Sequence, residues 1–130
     1  MELHDVDPAI LANTDGVLGT LDGNGRPQLT VVWFIVRGGH IWVSINATRQ
    51  KARNLARNGE VSFLVMHPDT GDYYVEVRGT AALLPDDDYR MADEIGVKYD
   101  ADFRSFDRPG DGRFIVDITP TKVILTDVRG

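Results

Sequence analysis

The residues best suited to chemistry in this chain lie between Ser44 and Leu55. Arg49, Lys51, Arg53 and Arg57 cluster there, in a sequence of 130 residues with 14 basic against 20 acidic side chains and a formal net charge of −6. An anion site in so acidic a chain has to be a local concentration of positive charge. Composition predicts a helix from Thr48 to Asn58, with Thr48 as its N-cap and Asn58-Gly59 as its stop. On that helix Arg49, Arg53 and Arg57 recur at i, i+4 and i+8 along one stripe, and Lys51 points towards the side of Leu55. The first helical N–H groups, the Thr48 hydroxyl, Ser44 and the Arg49 and Lys51 side chains can then converge on one anion such as a phosphate. The same spacing describes a solvated helix face, and spacing alone favours that simpler reading.

Other chemistries find little support. The chain has no cysteine, which removes disulfides, thiolate nucleophiles and the usual zinc ligands and fits a reducing, cytoplasmic setting. His4, His40 and His67 stand apart from one another and from carboxylates at ligand spacing, so neither a metal site nor a nucleophilic triad is expected. Gly23-Asn24-Gly25 runs into Arg26-Pro27 and cannot open a dinucleotide-binding helix. Asp86-Asp87-Asp88 reads as the acidic first turn of a helix. The negative charge disfavours nucleic acid, no apolar run approaches the ~20 residues of a membrane helix, and the N-terminus lacks the basic and apolar stretches of a signal peptide.

These side chains need a scaffold, and the pattern around them is β. Gly16–Leu21 and Pro27–Val36 read as strands joined by the turn Asp22-Gly23-Asn24-Gly25. Arg37-Gly38-Gly39 turns into His40–Asn46, where Ile41, Val43 and Ile45 alternate with Trp42, Ser44 and Asn46 and place Ser44 opposite the aliphatic face. Further strands are expected at Glu60–Met66, Tyr73–Leu84, Arg113–Thr119 and Lys122–Thr126. A short helix is expected after Asp7-Pro8 and another over Asp86–Gly96, with a loop over Asp100–Gly112. The whole of 1–130 is thus expected to form a single mainly β domain, an antiparallel barrel with a few short helices. Within it, Leu29–Val36 is apolar almost throughout, so its outer face needs a cover: a second copy of the chain or the N-terminal helix.

In its order of motifs the sequence resembles the split β-barrel flavin and deazaflavin oxidoreductases, the family that includes pyridoxamine 5′-phosphate oxidase. The segments behind the resemblance are Gly16-Val17-Leu18-Gly19-Thr20-Leu21, Gly25-Arg26-Pro27-Gln28-Leu29-Thr30, Val43-Ser44-Ile45, Arg49-Gln50-Lys51-Ala52-Arg53-Asn54-Leu55 and Glu76-Val77-Arg78-Gly79-Thr80-Ala81. The Gly-Arg-Pro-Gln start and the Arg-x-Lys-x-Arg-Asn-Leu segment are most similar to the short members that use the 8-hydroxy-5-deazaflavin coenzyme F-420. That resemblance implies a Greek-key, FMN-binding-like split barrel, a homodimer, and a cofactor at the subunit interface. It places Gln28, Thr30, Val31, Val32 and Trp33 along the ring and ribityl chain. Ser44, Arg49 and Lys51 would hold the phosphate, Arg53 and Asn54 would support that segment, and Tyr74 would come from the partner subunit. It also implies hydride exchange with a small electron-poor molecule, which requires no catalytic side chain and no metal. FMN as the cofactor, or a non-catalytic cofactor carrier, remains an alternative on the same residues.

Overall fold

Seven antiparallel strands make one continuous sheet in the computed structural model, which describes residues 1–130. They are β1 (Gly16–Leu21), β2 (Pro27–Val32), β3 (Ile35–Arg37), β4 (His40–Asn46), β5 (Glu60–His67), β6 (Thr70–Pro85) and β7 (Arg113–Asp127). Their order across the sheet is β2-β1-β5-β6-β7-β4-β3. Three helices decorate it: α1 (Pro8–Leu11), α2 (Gln50–Arg57) and α3 (Arg90–Tyr99). The sheet wraps around Leu18, Phe34, Ile41, Val43, Phe63, Val75, Val77, Val116 and Ile118, and long connections bring β1 to β5 and β4 to β7. This is the antiparallel barrel expected from the strand pattern, in the split, Greek-key form that the resemblance implies. No helix is long and apolar enough to cross a membrane.

The turn after β1 forms as expected. Asp22 Oδ1 accepts from the backbone N–H groups of Asn24 and Arg26, and Gly25 takes a positive φ of 78°, a conformation that favours glycine.

The expected strand Pro27–Val36 is instead two strands, because Trp33 and Phe34 carry the chain from one edge of the sheet to the other. β2 pairs with β1, whereas β3 pairs with β4, so consecutive strands occupy opposite ends of the strand order. Leaving the ladder exposes backbone groups that must be satisfied elsewhere. The hydroxyl of Tyr99 accepts from the Phe34 N–H (2.9 Å) and donates to the Thr14 carbonyl (2.7 Å), while Lys98 Nζ donates to the Phe34 carbonyl (3.0 Å). The Phe34 ring is buried edge-on against Phe63. Local alternation cannot reveal such a break, since both the partners and the replacement donors are distant in sequence.

Two other boundaries move for identifiable reasons. α3 starts at Arg90 rather than Asp86, because the buried Asp86 carboxylate reaches forward to the N–H groups of Met91 and Ala92 across a turn in which Tyr89 adopts a positive φ of 63°. The last two expected strands are one, β7, running through Pro120. The ladder with β6 shifts register between Arg78 and Gly79, where the missing Pro120 N–H does least harm. A second, smaller apolar cluster forms outside the barrel where Ala92 and Ile95 of α3 meet Phe103 and Ile115.

The outer face of β2 stays open. Leu29 is 70% and Val31 66% exposed, whereas Val32 on the opposite face is buried. α1 packs against β5 and leaves that face alone, so the N-terminal helix is not its cover.

Candidate functional site

A cavity of about 670 Å³ opens on the outer face of the barrel, between the end of β2, the end of β4, the start of α2 and the 103–113 segment. Alternation along β4 sends Ile41, Val43 and Ile45 into the core and leaves Ser44 and Asn46 outside, as the sequence pattern requires. Of the residues expected at a site, Val31, Val32, Trp33, Ser44, Arg49 and Lys51 line this one cavity.

Its basic end differs in detail from expectation. The N-cap of α2 is Arg49, not Thr48, and no side chain caps it. Thr48 is diverted by Asn46, whose Oδ1 accepts from both the Thr48 N–H (2.9 Å) and the Thr48 hydroxyl (2.5 Å). The first N–H groups of α2 are therefore left without a side-chain partner beside two cations. Neither Arg49 nor Lys51 forms an ion pair. Burial, and then the charge of Arg49, pulls the Lys51 ammonium below the usual lysine range. Two like charges sharing a half-buried site without a counter-ion form an arrangement that an anion would relieve.

The sign of that coupling gives a prediction. A bound phosphate stabilises the charged ammonium and raises the Lys51 pKa, so affinity for a phosphate ligand is highest below the pKa of the free protein and falls as pH rises through it. Binding in that window takes up a proton, which calorimetry in buffers of different ionisation enthalpy would register. A Lys51→Met variant is expected to lose this proton uptake.

Arg53 and Asn54 lie behind the cavity and brace it. Arg53 donates to the Thr48 carbonyl (3.0 Å) and to Gln50 Oε1 (2.8 Å). Asn54 is fully buried; its amide donates to Thr20 Oγ1 and to Gln28 Oε1, and its Oδ1 accepts from Gln50. Gln28 is thus engaged in the scaffold rather than in the cavity lining. Thr30 Oγ1 is buried without any hydrogen-bond partner. Tyr74 does not reach this cavity: it pairs with Met66 and Thr126 on β6, and only a second subunit can bring such a residue here. Arg57, the last residue of the expected stripe, has its guanidinium against Gly23 at the β1–β2 turn.

The apolar end is aromatic. Trp33 stacks on Tyr99 (centroids 4.3 Å apart, planes at 6°), and Phe103 and Phe106 meet it edge-on. Tyr99 also ties down the Trp33–Phe34 crossover, so it fixes the indole from two directions.

The sequence reading missed the clamp that joins these ends. Arg113, at the start of β7, lies on the same outer face as Ile115 and is 4% exposed. It donates to Ser44 Oγ (3.0 Å) and grips both carboxylate oxygens of Asp107. Asp107 also accepts from the Tyr89 hydroxyl (2.6 Å) and from Asn46 (2.9 Å). Burial pushes the Asp107 carboxyl up, but hydrogen bonds from Arg113, Tyr89 and Asn46 outweigh it and hold its pKa at about 2. With its acceptor side taken by Arg113, the Ser44 hydroxyl is free to donate its hydrogen into the cavity.

Fold and site together define a split barrel carrying a cavity with a basic and an aromatic end on its outer face. Comparison with known proteins specifies it: residues 5–127 match the pyridoxamine 5′-phosphate oxidase family model, and the chain belongs to that family. Among solved structures, an F-420 reductase is 29% identical, with 89% of this chain and 94% of that one covered at a TM-score of 0.77. A conserved hypothetical protein from Mycobacterium tuberculosis is also 29% identical, covering 99% and 86% at a TM-score of 0.79. The haem storage protein of Vibrio cholerae, at 17% identity, 97% and 96% coverage and a TM-score of 0.75, shares the fold.

Proposed function

We propose that this chain is an oxidoreductase that uses the deazaflavin coenzyme F-420 and exchanges a hydride with a small electron-poor molecule. The observation that carries this reading is the convergence of unpaired Arg49 and Lys51 with the Ser44 hydroxyl at one end of a cavity whose other end is walled by Trp33, Phe103 and Phe106. The 29% identity to a structure named an F-420 reductase favours the deazaflavin over FMN.

The residues fit such a group. A phosphate accounts for the two cations and the open helix start, and a planar ring for the indole wall of Trp33. Ser44, Arg49 and Lys51 would hold the phosphate, while Thr30, Val31, Val32 and Trp33 would run along the ribityl chain and ring. When bound, a reduced deazaflavin supplies a hydride to an electron-poor carbon, and a proton from solvent completes the two-electron reduction. The work left to the protein is to orient the partners and exclude water, which needs rigid apolar walls rather than a nucleophile.

A second copy of the chain completes this reading. Val31 belongs both to the cavity lining and to the exposed outer face of β2, so a protomer covering Leu29 and Val31 would also wall the cavity and can supply Tyr74. Sedimentation at micromolar concentration is expected to show a dimer. Leu29→Lys with Val31→Lys is expected to yield a folded monomer with weakened cofactor binding, and a monomeric wild-type protein would remove the partner from the account.

Turnover is the test of function. Protein supplied with reduced coenzyme F-420 and a panel of quinones, enones and tetrapyrrole-like acceptors is expected to oxidise the cofactor with at least one of them. Tight cofactor binding without turnover across the panel would make it a carrier instead.

A further inference from the structure

We propose that Phe106 and Arg108, on the rim of the cavity, select a planar conjugated molecule bearing a carboxylate as the partner in hydride exchange. This rests on the oxidoreductase reading and names its substrate class. Phe106 is 57% exposed and lines the cavity. It is nevertheless fixed, packing edge-on against Phe103 (5.7 Å) and Trp33 (6.0 Å) at the end of a 3-10 turn, Phe103–Phe106. That turn is pinned to α3 by Arg104, which donates to both carboxylate oxygens of Asp93 (2.7 and 3.2 Å). A large ring held rigidly with much of its surface in water offers a platform on which a flat apolar molecule can stack.

Arg108 supplies the charge. Its side chain lines the same cavity and has neither a hydrogen bond nor an ion pair, whereas Arg37, Arg104, Arg113 and Arg129 each hold a carboxylate. Asp111, the acid beside it, is already engaged, its Oδ2 accepting from Asn46 and from the backbone N–H of Arg108. Between Phe106 and Arg108 stands Asp107, locked to Arg113 in the clamp, so ring and guanidinium project from a stretch of chain that cannot drift. A planar guanidinium pairs two-pronged with a carboxylate. The cavity's phosphate donors are instead Ser44, Arg49 and Lys51.

The test is a calorimetric titration with 2-naphthoate and with 2-naphthylmethanol, which share a ring system and differ in charge, on the protein alone and saturated with oxidised coenzyme F-420. The naphthoate is expected to bind about tenfold or more tighter than the alcohol, a difference of about 1.4 kcal/mol. Arg108→Gln is expected to erase that preference with cofactor affinity unchanged, and Phe106→Ala to weaken both probes alike. A preference that survives Arg108→Gln would overturn the proposal. So would failure of both probes to bind, or a loss of cofactor affinity in Arg108→Gln, which would assign Arg108 to the phosphate. If coenzyme F-420 itself fails to bind while the naphthoate preference tracks Arg108, the rim's selectivity stands and the deazaflavin reading falls.

Discussion

Arg49→Ala combined with Lys51→Ala is expected to weaken binding of coenzyme F-420 by roughly two to four orders of magnitude without harming the fold. Each hydrogen bond to a charged group contributes about 1.5–3 kcal/mol, so losing two amounts to roughly 3–6 kcal/mol. Arg49 is exposed and screened by solvent, which places its share near the lower end. Lys51 is half-buried, and removing it also relieves the apo protein of an ammonium held below its usual pKa. Neither side chain has an ion-pair partner to orphan, so the thermal midpoint should stay level or rise slightly. Arg57→Ala is the matched control: it removes one charge from the same helix, but at the β1–β2 turn outside the cavity. An affinity loss as large in that control would mean that only general electrostatic attraction is at work.

Asp107→Ala is expected to destabilise the folded protein by about 3–5 kcal/mol, because it leaves the Arg113 guanidinium buried without its counter-charge. Both side chains are nearly inaccessible, at 4% for Arg113 and 3% for Asp107. The same change strands the Tyr89 hydroxyl and one donor bond of Asn46, and Tyr89 holds a left-handed backbone conformation that this hydrogen bond helps to secure. Urea unfolding should show a large drop in midpoint. Removing both charges, in Asp107→Ala with Arg113→Met, should recover much of the loss while leaving Ser44 without its donor and cofactor affinity reduced. By contrast Arg129→Ala breaks a short but exposed pair with Asp127 and should leave the urea midpoint nearly unchanged.

Asp107 also sets an acid limit. Its folded pKa of about 2 lies below the ordinary carboxylate value near 3.9, so its stabilising contribution is fully present above about pH 4 and is lost as pH falls towards 2. Acid unfolding of the wild type should therefore begin in that window, and the double variant lacking both charges should lose this component.

How much of the site was legible depends on how local each feature is. Ser44 could be placed outside the barrel from the alternation of Ile41, Val43 and Ile45 alone, and the basic run from Arg49 to Arg53 announced itself against an acidic background. The role of Asn46 could not be read: its side chain draws Thr48 out of the capping position and also reaches Asp107 and Asp111, far along the chain. The β2–β3 break was hidden in an unbroken apolar run, since what ends the strand is the arrival of Tyr99 and Lys98 at Phe34. Arg113 left one faint trace, a charge at a strand position in phase with the buried Ile115. A basic residue on an otherwise covered face implies a buried acid, and the Asp-rich loop before it was the place to seek one.

Equilibrium titration of the purified protein with coenzyme F-420, with its dephosphorylated deazaflavin core and with FMN, followed by fluorescence polarisation, decides whether the cavity anchors a deazaflavin by its phosphate. Saturable binding of coenzyme F-420 is expected, weakening by about a hundredfold or more when the phosphate is absent. Equal affinity with and without the phosphate, or tight binding of FMN with no response to the deazaflavin, would contradict it.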